Sequence, residues 1–165
     1  MSILRYAAIG LGAAAIVGLF GSQISQLEGI KADGKRVWLD LRPVDPRALM
    51  MGDFMALGYQ EETNRALPKD LPSSGQFILK LDENNVGTFA RLGDDAVLAD
   101  HEVRINYIRR RRGVTFGAPR YYFQNGTAKT YEPADYGIFK ISKSGRAVLV
   151  GLADENFEEI LPPED

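Results

Sequence analysis

Cysteine is absent from the 165-residue chain, which excludes disulfides, thiol nucleophiles and cysteine-ligated metals. That absence does not name a compartment, because many extracytoplasmic proteins also lack the residue. Histidine occurs once, as His101. Asp100 and Glu102 flank it, and Asp94 and Asp95 lie just upstream, which raises a hard-cation site. Adjacent strand residues diverge, however, and there is no second histidine or cysteine to close a zinc site. A His-dependent triad would also need a glycine-flanked serine elbow, which does not accompany this histidine. No metal or cofactor is expected. Net charge is nearly absent as well: 20 basic against 22 acidic residues give −2, which argues against a generic polyanion binder and leaves nucleic acid unexpected as a partner.

Long apolar runs are lacking everywhere except at the start. Tyr6 to Ile24 carries no charged residue, and a helix of that length spans roughly 28 Å at ~1.5 Å per residue, enough to cross a bilayer. A cleaved signal peptide is the competing reading, but cutting after Ser22 or Gly21 puts Phe20 or Leu19 where a small residue is required. A retained anchor over 1–28 is therefore expected, then a linker at 29–34 and an extracytoplasmic domain over 35–165. Arg5 on the short side favours a cytoplasmic N-terminus, a single pass through the inner membrane and a periplasmic body. Gly10, Ala14 and Gly18 recur every four residues, a spacing that puts small side chains on one helical face for a partner helix. In a segment this rich in Gly and Ala, the same stripe also arises by chance.

Beyond the anchor, helical periodicity is missing apart from short pieces at 61–71 or 95–102, and period-2 alternation takes over. Val37, Leu39 and Leu41 mark a first strand; the polar, proline-bearing stretch 61–72 reads as a surface loop. Phe77, Leu79 and Leu81 lead through 82–85 into a return strand ending at Leu92, a hairpin. Val103, Ile105 and Tyr107 alternate into Arg109–Arg112, and Val114 to Phe116 starts another strand. Asn125-Gly126 suits a type I′ turn, pairing Tyr122 with Lys129 and Phe123 with Ala128; Ser144-Gly145 suits another, with Phe139 and Ile141 on the face of Val148 and Val150. Three hairpins imply an all-β, antiparallel domain behind an N-terminal transmembrane helix, and strand count leaves a barrel and a sandwich both open.

The segment that organises these strands is Pro43-Val44-Asp45-Pro46 followed by Gly52-Asp53-Phe54-Met55-Ala56-Leu57-Gly58-Tyr59. Asp45 suits a helix N-cap, Pro46 the first helical position and Gly52 a left-handed helix end, so a single helical turn is expected before a strand in which Met55, Leu57 and Tyr59 share a face. The octet resembles the signature of the GDYXXLXY family of membrane-associated bacterial proteins, with Phe54 where tyrosine is usual. The resemblance extends from the apolar N-terminal segment through Pro43, Asp45 and Pro46 and Gly117-Ala118-Pro119-Arg120-Tyr121-Tyr122-Phe123 to Val150–Glu155. It implies an anchored domain and brings no activity with it. In that family, genes lie beside those of multi-pass membrane proteins, which suits a helix partner for the Gly10, Ala14 and Gly18 stripe. Phenylalanine at 54 implies a ring that packs, because no hydroxyl is there to react.

Other groupings invite chemistry. Arg109, Arg110, Arg111 and Arg112 point alternately to opposite faces of a strand, so they divide into pairs that contact lipid head groups or another anion, or else rest beside acids such as Asp94, Asp95, Asp100 or Glu102. The order Pro46-x-x-Leu49-x-x-Gly52-Asp53 looks like the turn after the nucleophile in signal-peptidase-type serine/lysine proteases, but no serine stands just before Pro46. Ser74 with Lys80, or Ser142 with Lys143, are the remaining dyads on paper. Asp45 and Asp53 bracket one turn as an acid/base pair or, in the simpler reading, as cap and turn residues. Tyr121, Tyr122, Phe123 and Tyr131 make one face of a ribbon aromatic, either core or contact surface. The sequence thus favours a non-catalytic binding or accessory module of a membrane protein complex. An anchored hydrolase or a degenerate relative of one is the alternative, and a lipid or small-ligand carrier a third reading.

Overall fold

A computed structural model describes residues 2–42, 54–63, 65, 67–68, 70–93, 97–110 and 113–163. Helix α1 covers Ser2–Asp33, and Tyr6–Asp33 is long and apolar enough to cross a membrane. The segment expected as a linker is therefore helical as far as Asp33, and the chain breaks direction at Gly34, whose N–H closes the helix on the Ile30 carbonyl at 2.9 Å. Space explains the glycine: an added Cβ would meet the Ile30 carbonyl oxygen and lie 3.1 Å from the Ile141 backbone nitrogen.

The body is antiparallel β structure, as the alternation predicts. Strand β1 (Lys35–Asp40) pairs with β8 (Tyr136–Ile141), which pairs with β9 (Ala147–Ala153). Strand β2 (Phe54–Ala56) pairs with β7 (Arg120–Tyr122). A four-stranded sheet has the order β4 (Gly87–Leu92), β3 (Ser74–Leu81), β5 (Glu102–Arg110), β6 (Gly113–Thr115). Single bridges knit these sheets together: Leu41 with Tyr59 antiparallel, and Trp38 with Val86 parallel. The inward residues of the alternating strands supply the core, with Val37 and Leu39, Phe77 and Leu79, Val103 and Ile105, and Phe139 and Ile141 all buried.

The β3–β4 hairpin forms as expected, with Phe77 opposite Leu92 and Leu81 opposite Gly87. Its turn is held by the Asp82 carboxylate, whose Oδ1 accepts the N–H of Asn84 at 2.9 Å and of Val86 at 2.8 Å.

Two hairpin expectations need correction. Residues 128–131 are a 3₁₀ turn, not a return strand, and β7 pairs with β2 instead of with Thr127–Tyr131. The physical reason lies at Asn125, which keeps negative φ, so that only Gly126, at φ +87°, is left-handed. A type I′ turn needs both residues left-handed, and a positive φ at the second alone fits a type II turn, which splays the flanking segments. The β8–β9 hairpin does exist, but Ile141 faces Ala147 and Phe139 faces Leu149. Its loop is Lys143-Ser144-Gly145, closed by the Ser142 N–H on the Arg146 carbonyl at 2.9 Å, with Gly145 at φ +85°. A three-residue loop ending in a left-handed glycine shifts the register by one residue relative to a two-residue turn, which moves Val148 to the opposite face. The ladder shifts again between Ile138 and Phe139, opposite Val150.

Candidate functional site

The second half of the signature sits where the sheets meet. Tyr59 is fully buried; its ring lies 5.4 Å from Phe139 and 6.0 Å from Phe116, and its hydroxyl donates to the Ala118 carbonyl at 2.7 Å. Burial, with the Glu62 carboxylate nearby, drives the phenol well above its ordinary value and keeps it neutral as a donor. Backbone bonds from the same stretch reach both ways. The Arg42 N–H donates to the Gly58 carbonyl and the Leu57 N–H to the Pro119 carbonyl, each at 2.9 Å. At Gly58 a Cβ would run into the Arg42 side chain. Met55 is buried with Tyr131 and Leu152, and Leu57 packs against both core clusters. Phe54 packs as its chemistry implies: its ring centroid is 5.8 Å from that of Tyr122 and 5.1 Å from the Arg120 guanidinium carbon.

Two acids immediately after the signature were missed by reading 61–72 as a surface loop. The 3₁₀ turn Gln60–Thr63 buries Glu61, whose Oε2 accepts the Phe89 N–H at 2.9 Å beside the β3–β4 bulge. Glu62 is half-buried and accepts the Thr115 hydroxyl at 3.0 Å and the Phe116 N–H at 3.3 Å. Burial raises its carboxyl above the ordinary value, partly offset by those bonds. Leu71 at the end of this segment is buried too. An acid pair following the Leu-x-Tyr strand end was the only signal available, and nothing in its composition distinguishes it from a solvated turn.

Glu62 also borders a cleft of about 660 Å³, with Leu67, Leu71, Arg109, Arg110 and Gly113 around it. Arg109 is engaged there by the Leu71 carbonyl, so its guanidinium braces the loop. Arg111 and Arg112 lie outside the described residues. No described residue of α1 lines this cleft. Glu102, one of the acids considered for these arginines, instead binds Arg91 through both carboxylate oxygens; that pairing holds its carboxyl down at about 2.

The rest of the sequence-derived candidates separate. Gly52 and Asp53, and Pro43, Asp45 and Pro46 before them, lie outside the described residues. His101 is exposed in a turn, and among the described residues no group of three His, Cys, Asp or Glu is placed to hold a metal ion. Ser74 and Lys80 stand at opposite parts of one strand, roughly 20 Å apart at ~3.3 Å per residue. The Ser142 hydroxyl is 2.9 Å from that of Ser144 and accepts the Arg146 N–H at 3.1 Å, as a turn residue does. Of the aromatic ribbon, Tyr121 and Phe123 pack on buried Tyr131 at 5.3 and 5.2 Å, while Tyr122 points outward, 67% exposed. Gly10, Ala14 and Gly18 all lie on the exposed part of α1, and open space surrounds a Cβ at Gly10 or Gly18.

An apolar N-terminal helix leading into an antiparallel β domain, tied together by the Leu57-Gly58-Tyr59 segment that follows β2, defines the class. The family model described as GDYXXLXY protein matches residues 16–152, most of the chain, and the protein belongs to that family. No curated protein and no solved structure is significantly similar to it.

Proposed function

We propose that the protein is a single-pass, membrane-anchored accessory module whose β domain is held outside the cytoplasm, in the periplasm, while α1 engages a multi-pass membrane protein. The observation that carries this reading is the contrast along α1. Residues 6–26 are exposed throughout, whereas Ile30 is buried against the body. An apolar surface of that extent needs lipid or another helix around it, and the open face at Gly10 and Gly18 allows close backbone approach. A non-catalytic role is favoured because the polar atoms of the described signature stretch are engaged in holding sheets together: the Tyr59 hydroxyl, the Leu57 N–H and the Gly58 carbonyl.

The test is co-purification of the full chain from its own membranes in mild detergent, beside a variant carrying Gly10→Leu, Ala14→Leu and Gly18→Leu. Loss of a multi-pass protein from the variant alone is expected. A partner retained equally by both would move the contact to the β domain, and no partner with either would sink the accessory reading. A hydrolase would instead lose activity when Ser74, Ser142 or Ser144 is replaced by alanine.

A further inference from the structure

We infer that a hollow beside the exit of α1 is a binding site for the head group of an anionic phospholipid. The inference rests on the membrane reading above, and it names a ligand that this reading does not. The hollow has a volume of about 430 Å³ and lies between Leu27, the segment 117–122 and the start of β9. Arg120 and Arg146 line it together with the exposed Tyr122, and no acid among the described residues does. None of the described ion pairs takes either arginine. The Arg120 guanidinium lies over the Phe54 ring, and Arg146 reaches toward α1, where its Nη1 is 3.5 Å from Gln26 Oε1. Both cations are thus oriented by neighbours that, among the described residues, leave their charge unpaired.

Depth along the helix places this hollow. Leu27 stands 21 residues past Tyr6, roughly 31 Å at ~1.5 Å per residue, against a hydrocarbon thickness of about 30 Å. With Tyr6 at one boundary, Leu27 reaches the other, and the hollow opens at the level of the phosphates. Guanidinium groups recognise phosphate through paired N–H donors, and tyrosine favours the same interface because one end is apolar and the other wet. Leu27, Ala147 and Leu149 give the hollow an apolar lining that suits the glycerol and upper acyl carbons of a lipid better than a free ion.

The experiment uses the full chain in an uncharged detergent and follows its melting temperature on titration with dihexanoylphosphatidylglycerol, dihexanoylphosphatidylcholine or inorganic phosphate. Phosphatidylglycerol alone is expected to raise the melting temperature. In the Arg120→Gln, Arg146→Gln double variant its apparent affinity should fall roughly twenty-fivefold, from about fivefold for each arginine lost. Arg120→Lys with Arg146→Lys keeps the charges and should recover most of that loss, which separates recognition from misfolding. An equal response to phosphatidylcholine, an equal response to phosphate, or an undiminished response in the glutamine variant would each overturn the inference. Alkaline carbonate extraction of membranes distinguishes the two levels. Release of the wild-type chain removes the membrane reading itself; retention without lipid discrimination removes only the head-group site.

Discussion

At the scale of single residues, Tyr59 shows what the signature does and how far it could be read. That Leu57 and Tyr59 share a face follows from period-2 alternation alone. Their partners do not, because Ala118 and Pro119 lie some sixty positions further along the chain and only the fold brings them close. Tyr59→Phe should cost about 1–2 kcal/mol, since the ring still packs but the part-buried Ala118 carbonyl loses its donor. Urea denaturation measures this, and an unchanged midpoint would mean the hydroxyl bond contributes nothing net. Gly117 is a residue whose importance the sequence hides. Its φ is +79°, and an added Cβ would sit 2.5 Å from Phe139 Cε1, a ring buried in the core. Gly126 has a similar φ, +87°, but open space around it. Gly126→Ala should therefore cost about 1 kcal/mol from backbone strain alone, and Gly117→Ala about 1–3 kcal/mol more from crowding. Equal losses in denaturation would show that Phe139 yields freely.

At the scale of elements, most strands were legible, the return strand expected at 127–131 excepted, and pairing was only partly so. The apolar alternation at 77–81 and 103–107 marks buried faces whatever the partner, which is why β3 and β5 follow directly from the sequence. Pairing depends on turn geometry, and an Asn-Gly or Ser-Gly pair does not reveal whether one or two residues go left-handed. The Asn125 side chain is consequently predicted to be dispensable: with φ negative there, Asn125→Ala should stay within about 0.5 kcal/mol of wild type, where a type I′ turn would lose more. Across the four-stranded sheet, Arg91 on β4 and Glu102 on β5 clamp over β3, and this pairing has a pH signature. Glu102 is held down from 4.5 to about 2, so its stabilising contribution is complete above 4.5 and is lost as pH falls toward 2. Denaturant midpoints of wild type and Glu102→Gln should differ above that window and converge at its acid end. Glu62 and Asp40 act in the opposite sense: burial raises both, so their contribution is present at low pH and is lost as pH rises through the raised values. A constant gap between wild type and Glu102→Gln across the window would mean the clamp is not electrostatic.

At the scale of the whole molecule, the question is whether the β domain swings freely on its anchor or is fixed to it. Gly29, Asp33 and Gly34 look in the sequence like a flexible joint, because glycine and aspartate favour turns. The fold uses them otherwise: α1 continues through Gly29, Ile30 is 9% exposed against the body, and Gly34 is small because the Ile30 and Ile141 backbones close on it. Lys35 then extends the contact, its Nζ donating to the Asp100 carbonyl at 2.8 Å. A docked helix end fixes the domain's orientation, so that in a bilayer the same face, with Arg120, Arg146 and Tyr122, would always meet the head groups. Ile30→Ala in the full chain should then lower stability by about 2 kcal/mol, and Gly34→Ala should act at the same place by prising the helix end off β8. Melting in uncharged detergent gives the size of both effects, and amide hydrogen exchange at residues 138–148 locates them. If neither substitution moves the melting temperature or the exchange of that hairpin, the helix end is not docked in solution, and the fixed orientation on which the head-group site depends is lost with it.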